Sequence, residues 1–258
     1  MTNNGDAPFV YQLYASPYSI LDSDYTMSFN EENATQYNQI SRWITFKSTT
    51  GNYTTNPQYS IGPGESQTIY YRISVPDSIP DGGQYCVVFA ETVRDNRNTS
   101  SGINTVSRVA LSIVGHGSGD TVESAELTDY YITSPVSTNG IKAGFGVKNA
   151  GNTDFEVSYL YQIKSIFDKE LYADNASYTV LPETERKINL AWEEAPIMGI
   201  YKARLAVVAA DLNYDQTKIV IILPIWLMII VLLLLTIIII WIIILIRKRK
   251  DNSTRLVV

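Results

Sequence analysis

The sequence predicts an all-β chain: two tandem immunoglobulin-like β-sandwich domains followed by one C-terminal transmembrane α-helix. Three observations carry this expectation. Before residue 219 no long segment shows the 3.6-residue apolar period of a helix, and short alternating apolar runs recur between Pro, Gly and Asn turns. Residues 219–246 are 28 positions without a charge, more than the ~20 apolar residues that span a bilayer. The remaining folded portion, about 217 residues, suits two small domains of roughly 100–150 residues.

The first sandwich is assigned to residues 1–115. Strand signals fall at 9–19, where Pro17 interrupts an aromatic run, and at 25–29, 40–48, 67–75, 85–93 and 106–114. In the fourth, Ile69, Tyr71, Ile73 and Val75 alternate with Thr68, Tyr70, Arg72 and Ser74, which suits an antiparallel sheet with one buried face. Gly62-Pro63-Gly64-Glu65, residues 76–83 and the polar stretch 95–102 supply turns. Residues 116–122, which overlap the glycine-rich stretch 115–120, read as a flexible linker. The second sandwich, 123–217, takes strands at 125–133, 141–148, 155–165, 170–172, 177–181, 186–192 and 199–210, with a turn at Asn149-Ala150-Gly151-Asn152. The halves echo each other. Gly62-Pro63-Gly64-Glu65 matches Leu181-Pro182-Glu183-Thr184, and Gly83-Gln84-Tyr85 matches Gly199-Ile200-Tyr201, a weak internal repeat.

Residues 219–246 read as the membrane helix, with Pro224 as an alternative start. Trp226 and Trp241 are placed as interfacial anchors near its two ends. Arg247-Lys248-Arg249-Lys250 opens a basic tail, 247–258, and the positive-inside rule assigns it to the cytoplasm. The N-terminal domains are then extracellular. Residues 1–217 carry 14 basic and 25 acidic side chains, whereas 218–258 carry six basic and one acidic. An acidic ectodomain argues against nucleic acid as a partner, because phosphates demand a basic stripe. The start of the chain has neither a basic nor an apolar leader, so a signal peptide and first strands are expected upstream of Met1.

Cys86 has no partner thiol in the chain and is expected to pack as a small hydrophobe. An exported domain without disulfides points to a bacterial surface. Ile40-Ser41-Arg42-Trp43-Ile44, Pro63-Gly64-Glu65-Ser66, Ile73-Ser74-Val75-Pro76 and Gly82-Gly83-Gln84-Tyr85 resemble bacterial membrane-anchored surface proteins with tandem immunoglobulin-like domains. Val147-Lys148-Asn149-Ala150-Gly151-Asn152 through Gly199-Ile200-Tyr201 is similar to the second domain of that group. More distantly, both halves resemble the WxL-interacting surface proteins. The resemblance implies engagement of peptidoglycan and a partner surface protein, and it brings no binding residues with it.

No catalytic, cofactor or metal site is expected. One histidine and one cysteine exclude most His-based metal sites and Cys/His dyads. His116, Ser118 and Asp120 sit on a glycine tether that cannot hold a triad. Asp211-Leu212-Asn213-Tyr214-Asp215 lacks the later ligands of a calcium loop and reads as a strand end. Trp43 and Trp192 read as core, while Tyr11, Tyr14, Tyr70, Tyr130 and Tyr131 are candidates for outer faces that contact a partner. The expected role is a membrane-anchored binding scaffold whose sandwiches contact cell-wall glycan or a surface protein while the helix sits in the lipid bilayer. The alternatives are an accessory or receptor subunit of a membrane complex and, remotely, a carboxylate-based glycan hydrolase.

Overall fold

The computed structural model describes residues 1–93, 106–133, 135–138 and 140–254, with side chains described as far as Ile246. The chain is mostly β-strand and ends in a single apolar helix. The polar stretch expected at 95–102 and the C-terminal Leu256-Val257-Val258 lie outside the described residues.

The N-terminal half holds β1 (Phe9–Pro17), β2 (Ser19–Ile20), β3 (Met27–Ser28), β4 (Ile44–Lys47), β5 (Tyr53–Thr54), β6 (Gln58–Ile61), β7 (Tyr71–Ile73), β8 (Gly83–Thr92) and β9 (Arg108–His116). One sheet runs β6-β1-β8-β9, a second β5-β4-β7, and β2 pairs with β3. Between the two larger sheets lies a core of Tyr11, Leu13, Ile40, Ile44, Phe46, Tyr59, Ile61 and Cys86. The run at 40–48 enters as a 3-10 turn, Gln39–Trp43, before β4 begins. The alternation at 67–75 yields only the three-residue β7.

The C-terminal half holds β10 (Ala125–Ile132), β11 (Val136–Ser137), β12 (Ile141–Asn149), β13 (Phe155–Ser165), β14 (Glu170–Val180), β15 (Glu185–Trp192), β16 (Gly199–Ala209) and β17 (Leu212–Ile222). The sheets β10-β12-β15 and β11-β17-β16-β13-β14 face each other as a sandwich. Alternate residues of β12, β13 and β16 fill the space between them, from Ile141 and Phe145 to Tyr161 and Leu205. The signals at 170–172 and 177–181 form one strand, β14.

The membrane segment expected from residue 219 starts later. Ile219–Ile222 closes β17, where Val220 and Ile222 are buried in the sandwich core and pair with Tyr201 and Gly199. Hydropathy cannot separate a buried β-branched strand from a membrane run, but Pro224 does. It ends the ladder and caps α1 (Ile225–Thr254), whose Leu227 and Met228 N–H groups donate to the Pro224 carbonyl at 3.0 and 3.2 Å. Within α1, Ile225–Ile246 is a 22-residue stretch long and apolar enough to cross a membrane, and none of its side chains is buried. Thr236 satisfies its hydroxyl on the Leu233 carbonyl at 2.7 Å.

The echo between the halves has a structural basis. Gly62–Glu65 and Leu181–Thr184 are both turns with proline second and a positive φ third, 71° at Gly64 and 60° at Glu183. Each is closed by a 3.2 Å backbone bond from its fourth residue to its first. Tyr85 and Tyr201 each fold the ring back over the glycine two residues earlier, so that a Cβ on Gly83 or Gly199 would meet the phenol.

Residues 116–122 are not a free tether. His116 belongs to β9, and Gly117 donates to the Gly82 carbonyl at 2.8 Å. The Asn152 side chain accepts from Val122 N–H at 2.7 Å and donates to the Asp120 carbonyl at 2.8 Å. The halves meet directly. Gly83 N–H donates to Asn152 O, and Lys187 N–H to Ser23 O, each at 2.8 Å. Tyr37, Tyr85 and Leu181 form a third apolar cluster across the junction. Gly82, at φ 93°, is needed there, because any Cβ would strike the Asn152 backbone.

Candidate functional site

The N-terminal sandwich is open along one side. β9 ends its sheet, and β7 ends the facing one. Between them is a cleft of 220 Å³ lined by Leu13, Phe46, Ile69, Val88, Val109 and Leu111, among others. Val109, Leu111 and Ile113 pair with Ala90, Val88 and Cys86, so they stand on the core side of the sheet. Nevertheless Val109 is 60% exposed and Leu111 63%. Ordinarily such positions are covered by the opposing sheet. Here β7 is too short to reach them.

The edge of β9 is open as well. Thr92 N–H donates to Ser107 O at 2.9 Å and Gly117 N–H to Gly82 O at 2.8 Å, which marks 92–107 and 82–117 as bonded pairs. Antiparallel pairing alternates, so Val109, Leu111 and Ile113 turn their N–H and C=O groups toward β8. Ala110, Ser112 and Val114 turn theirs away, toward a side where no described strand pairs with them. A nine-residue strand whose outward backbone donors and acceptors meet no strand among the described residues is the feature that soluble proteins normally blunt. No lysine, proline or bulge within Arg108–His116 blunts it here.

Polar and aromatic groups occupy the opposite face of the same sheet. Arg108, at the head of β9, sits 3.5 Å from Glu91 and 4.7 Å from the Phe89 ring centroid. Tyr14 donates to Glu91 at 2.6 Å, and burial first and that carboxylate second push its phenol pKa up. Cys86 is fully buried beneath the cleft, and burial pushes its thiol up to about 12, which keeps it protonated and inert. Tyr11, expected on an outer face, is instead fully buried in the core, donates to Gln67 Oε1 at 2.9 Å, and has its phenol pushed up to about 12 by burial and by Tyr59. Tyr70 and Tyr131 are exposed, and Tyr14 and Tyr130 half-buried. Trp192 is buried, and Trp43 packs half-buried against the first core.

The junction between halves holds a second, more polar concavity. Tyr85 donates to Asp154 Oδ1 at 2.6 Å and accepts from Asp154 N–H at 2.8 Å, and burial holds its phenol well above the usual range. His116 Nε2 lies 3.1 Å from Thr153 Oγ1. The Arg186 guanidinium stacks between Tyr25 and Tyr178, 4.1 and 4.2 Å from their centroids. These groups satisfy one another across the junction and fix the halves together.

The expected anchors fall on α1. Trp226 is its second residue and Trp241 lies fifteen residues further, about 22 Å along the axis. Both are exposed. Arg247, Lys248, Arg249 and Lys250 continue the helix, with side chains outside the described ones. Asp215, of the rejected calcium loop, pairs with Arg204 at 2.5 Å in the β16–β17 hairpin. Among the described residues no group of three His, Cys, Asp or Glu side chains could hold a metal. The free edge went unread in the sequence, because 106–114 reads as any core strand until its pairing is known.

No family model matches the chain, and no curated protein does. Among solved structures, the Class 5 fimbriae chaperone CfaA matches with a TM-score of 0.40 and 14% identity over 86% of this chain and 90% of that one. The CsuC–CsuE chaperone–tip adhesion subunit pre-assembly complex from Acinetobacter baumannii matches with 0.38 and 13% over 85% and 88%. A Bacteroides uniformis β-glucuronidase matches with 0.28 and 8% over 84% of this chain but 24% of that one. Likenesses at these scores decide nothing about role, which has to come from this chain's own residues.

Proposed function

We propose that this protein is a membrane-tethered, non-catalytic binding module that takes an extended strand of a protein partner onto the free edge of β9. The single observation that carries the proposal is the combination at β9: backbone groups on Ala110, Ser112 and Val114 that pair with no strand among the described residues, beside an apolar cleft under Val109 and Leu111. The partner's main chain completes the ladder, and its alternate side chains drop into the cleft and close the sandwich. Strand addition of this kind reads backbone for affinity and every second side chain for specificity. A polysaccharide has no such ladder, so the geometry favours a surface protein over cell-wall glycan.

The other elements serve presentation. α1 tethers the chain with residues 247–250 on the cytoplasmic side, following the positive-inside rule. The eleven-residue strands β16 and β17 set the junction about 35 Å from the start of α1. The bonded junction then holds the β9 edge out from a bacterial membrane as a rigid arm rather than a swinging one.

Photo-crosslinking tests the proposal in native membranes, with a benzophenone amino acid placed in turn at Val109, Leu111 and Ile113. Adducts to alternate residues of one extended segment of one protein support strand addition. Adducts scattered over many proteins, or adducts at a junction control such as Tyr178 and none at β9, would refute it.

A further inference from the structure

The register places several apolar features at one end of the C-terminal half. β16 and β17 pair from Ala209 and Leu212 at one end to Gly199 and Ile222 at the other. β13 runs alongside from Val157, opposite Ala209, to Ser165, opposite Tyr201. Ser165, Gly199 and Ile222 therefore share an end, and only Leu223 and Pro224 separate Ile222 from α1. The β13–β14 hairpin turns at that end through Ile166 and Phe167, and Phe167 is 86% exposed. The β15–β16 connection reaches the same end with Ile197, 74% exposed, and Met198.

These tips are held outward. Ser165 N–H bonds to Lys169 O at 2.8 Å and Asp168 N–H to Ser165 O at 3.0 Å, which fixes the hairpin with Phe167 at its apex. The junction with the N-terminal half uses the opposite end, through Asn152, Asp154 and Leu181. Strands lie about 4.8 Å apart, so the hairpin is about 10 Å across the sheet from β17. The two-residue connection to α1 spans about 10 Å at most. Leu223 N–H is itself tied to Ser137 O at 2.9 Å, so the sandwich end cannot lift far from the point where α1 begins. The charges suit the same place. Lys202 neutralises Asp168 beside Phe167 at 2.7 Å, and Lys164 and Lys169 flank the hairpin. Lysines around an apolar tip meet lipid phosphates while their stems stay in the interface.

From this placement we infer that Phe167 and Ile197, with Ile166 and Met198, insert into the headgroup layer of the bilayer that α1 crosses. They dock the C-terminal half on the membrane surface and fix the direction in which β9 points. The inference rests on α1 being the anchor, and the test separates the two. The full chain is reconstituted in phosphatidylcholine–phosphatidylglycerol vesicles with a nitroxide at Ile166→Cys, Leu235→Cys or Asn52→Cys, and collisions with oxygen and with a water-soluble nickel chelate are compared. Labels at 235 and 166 should favour oxygen, and the label at 52 the chelate. Adding Phe167→Glu and Ile197→Glu, both at exposed positions, should turn the label at 166 toward the chelate and leave 235 unchanged. A label at 166 that matches 52 while 235 remains in lipid overturns the docking. A label at 166 shielded from both reagents also overturns it, by showing a protein contact. If 235 itself favours the chelate, the anchor reading fails and the docking falls with it.

Discussion

Proline at position 112 removes an amide that faces away from β8. Ser112 lies between the bonded positions 111 and 113, is exposed, and contributes nothing to the described core. Ser112→Pro therefore breaks no hydrogen bond within the described sheet, and an outward edge position tolerates the ring. The folded state should lose about 1 kcal/mol or less, the strain of φ moving toward −65°. Leu111→Pro is the opposite case. It deletes the donor to the Val88 carbonyl in the β8–β9 ladder and orphans that acceptor at about 1–3 kcal/mol. For an added strand the ranking reverses in kind: Ser112→Pro removes a donor and pushes the incoming backbone off register. The loss is about 1–3 kcal/mol, a rise in Kd of about 5- to 150-fold. The assay pairs calorimetric titration of the cross-linked partner segment with urea denaturation in detergent. A Ser112→Pro protein that keeps wild-type stability and wild-type affinity would refute strand addition. One that unfolds like Leu111→Pro would refute the assigned pairing.

Other parts of the molecule carry three more expectations. Tyr85→Phe should cost about 2–3 kcal/mol, the strength of a hydrogen bond to a charged group, because it deletes both bonds to Asp154 at the junction; denaturation followed by tryptophan fluorescence reads it, and a loss under about 0.5 kcal/mol would contradict the rigid junction. Glu183→Gly should be neutral or stabilising by about 1 kcal/mol, because it relieves a positive φ of 60°; a clear destabilisation would assign that energy to the contact with Gln36. Arg204 beside Asp215 holds that carboxyl below its ordinary range, so its stabilisation is present above the unfolded pKa and is lost as pH falls through the folded one. Asp215→Asn should flatten that acid limb by less than about 1 kcal/mol, since the pair is solvent-exposed, and a thermal-melt series across acid pH measures it.

The class of fold was legible because it depends on local pattern. Alternation along 155–165 and 199–210 fixes which side chains point inward, and the structure buries Val157, Tyr161, Leu205 and Val207 accordingly. Ile219–Ile222 was misread because a buried strand end and a membrane run share one composition, and only pairing with Gly199–Lys202 tells them apart. The open edge of β9 was invisible for a related reason. Val109 and Leu111 look like core residues, and their exposure comes from what fails to reach them, the three-residue β7. The junction rests on Tyr85 and Asp154, 69 positions apart, and no local signal connects them. The linker read as flexible because its glycines were visible and Asn152, which pins it, was not adjacent.

Amide hydrogen exchange along β9 tests the central claim most directly. In the free protein the N–H groups of Ala110, Ser112 and Val114 should exchange at nearly open-chain rates, while those of Val109, Leu111 and Ile113 are protected by β8. Bound partner segment should bring the first three to the protection of the second three. Equal protection of all six in the free protein, or binding that leaves Ala110, Ser112 and Val114 unprotected, would contradict strand addition at this edge.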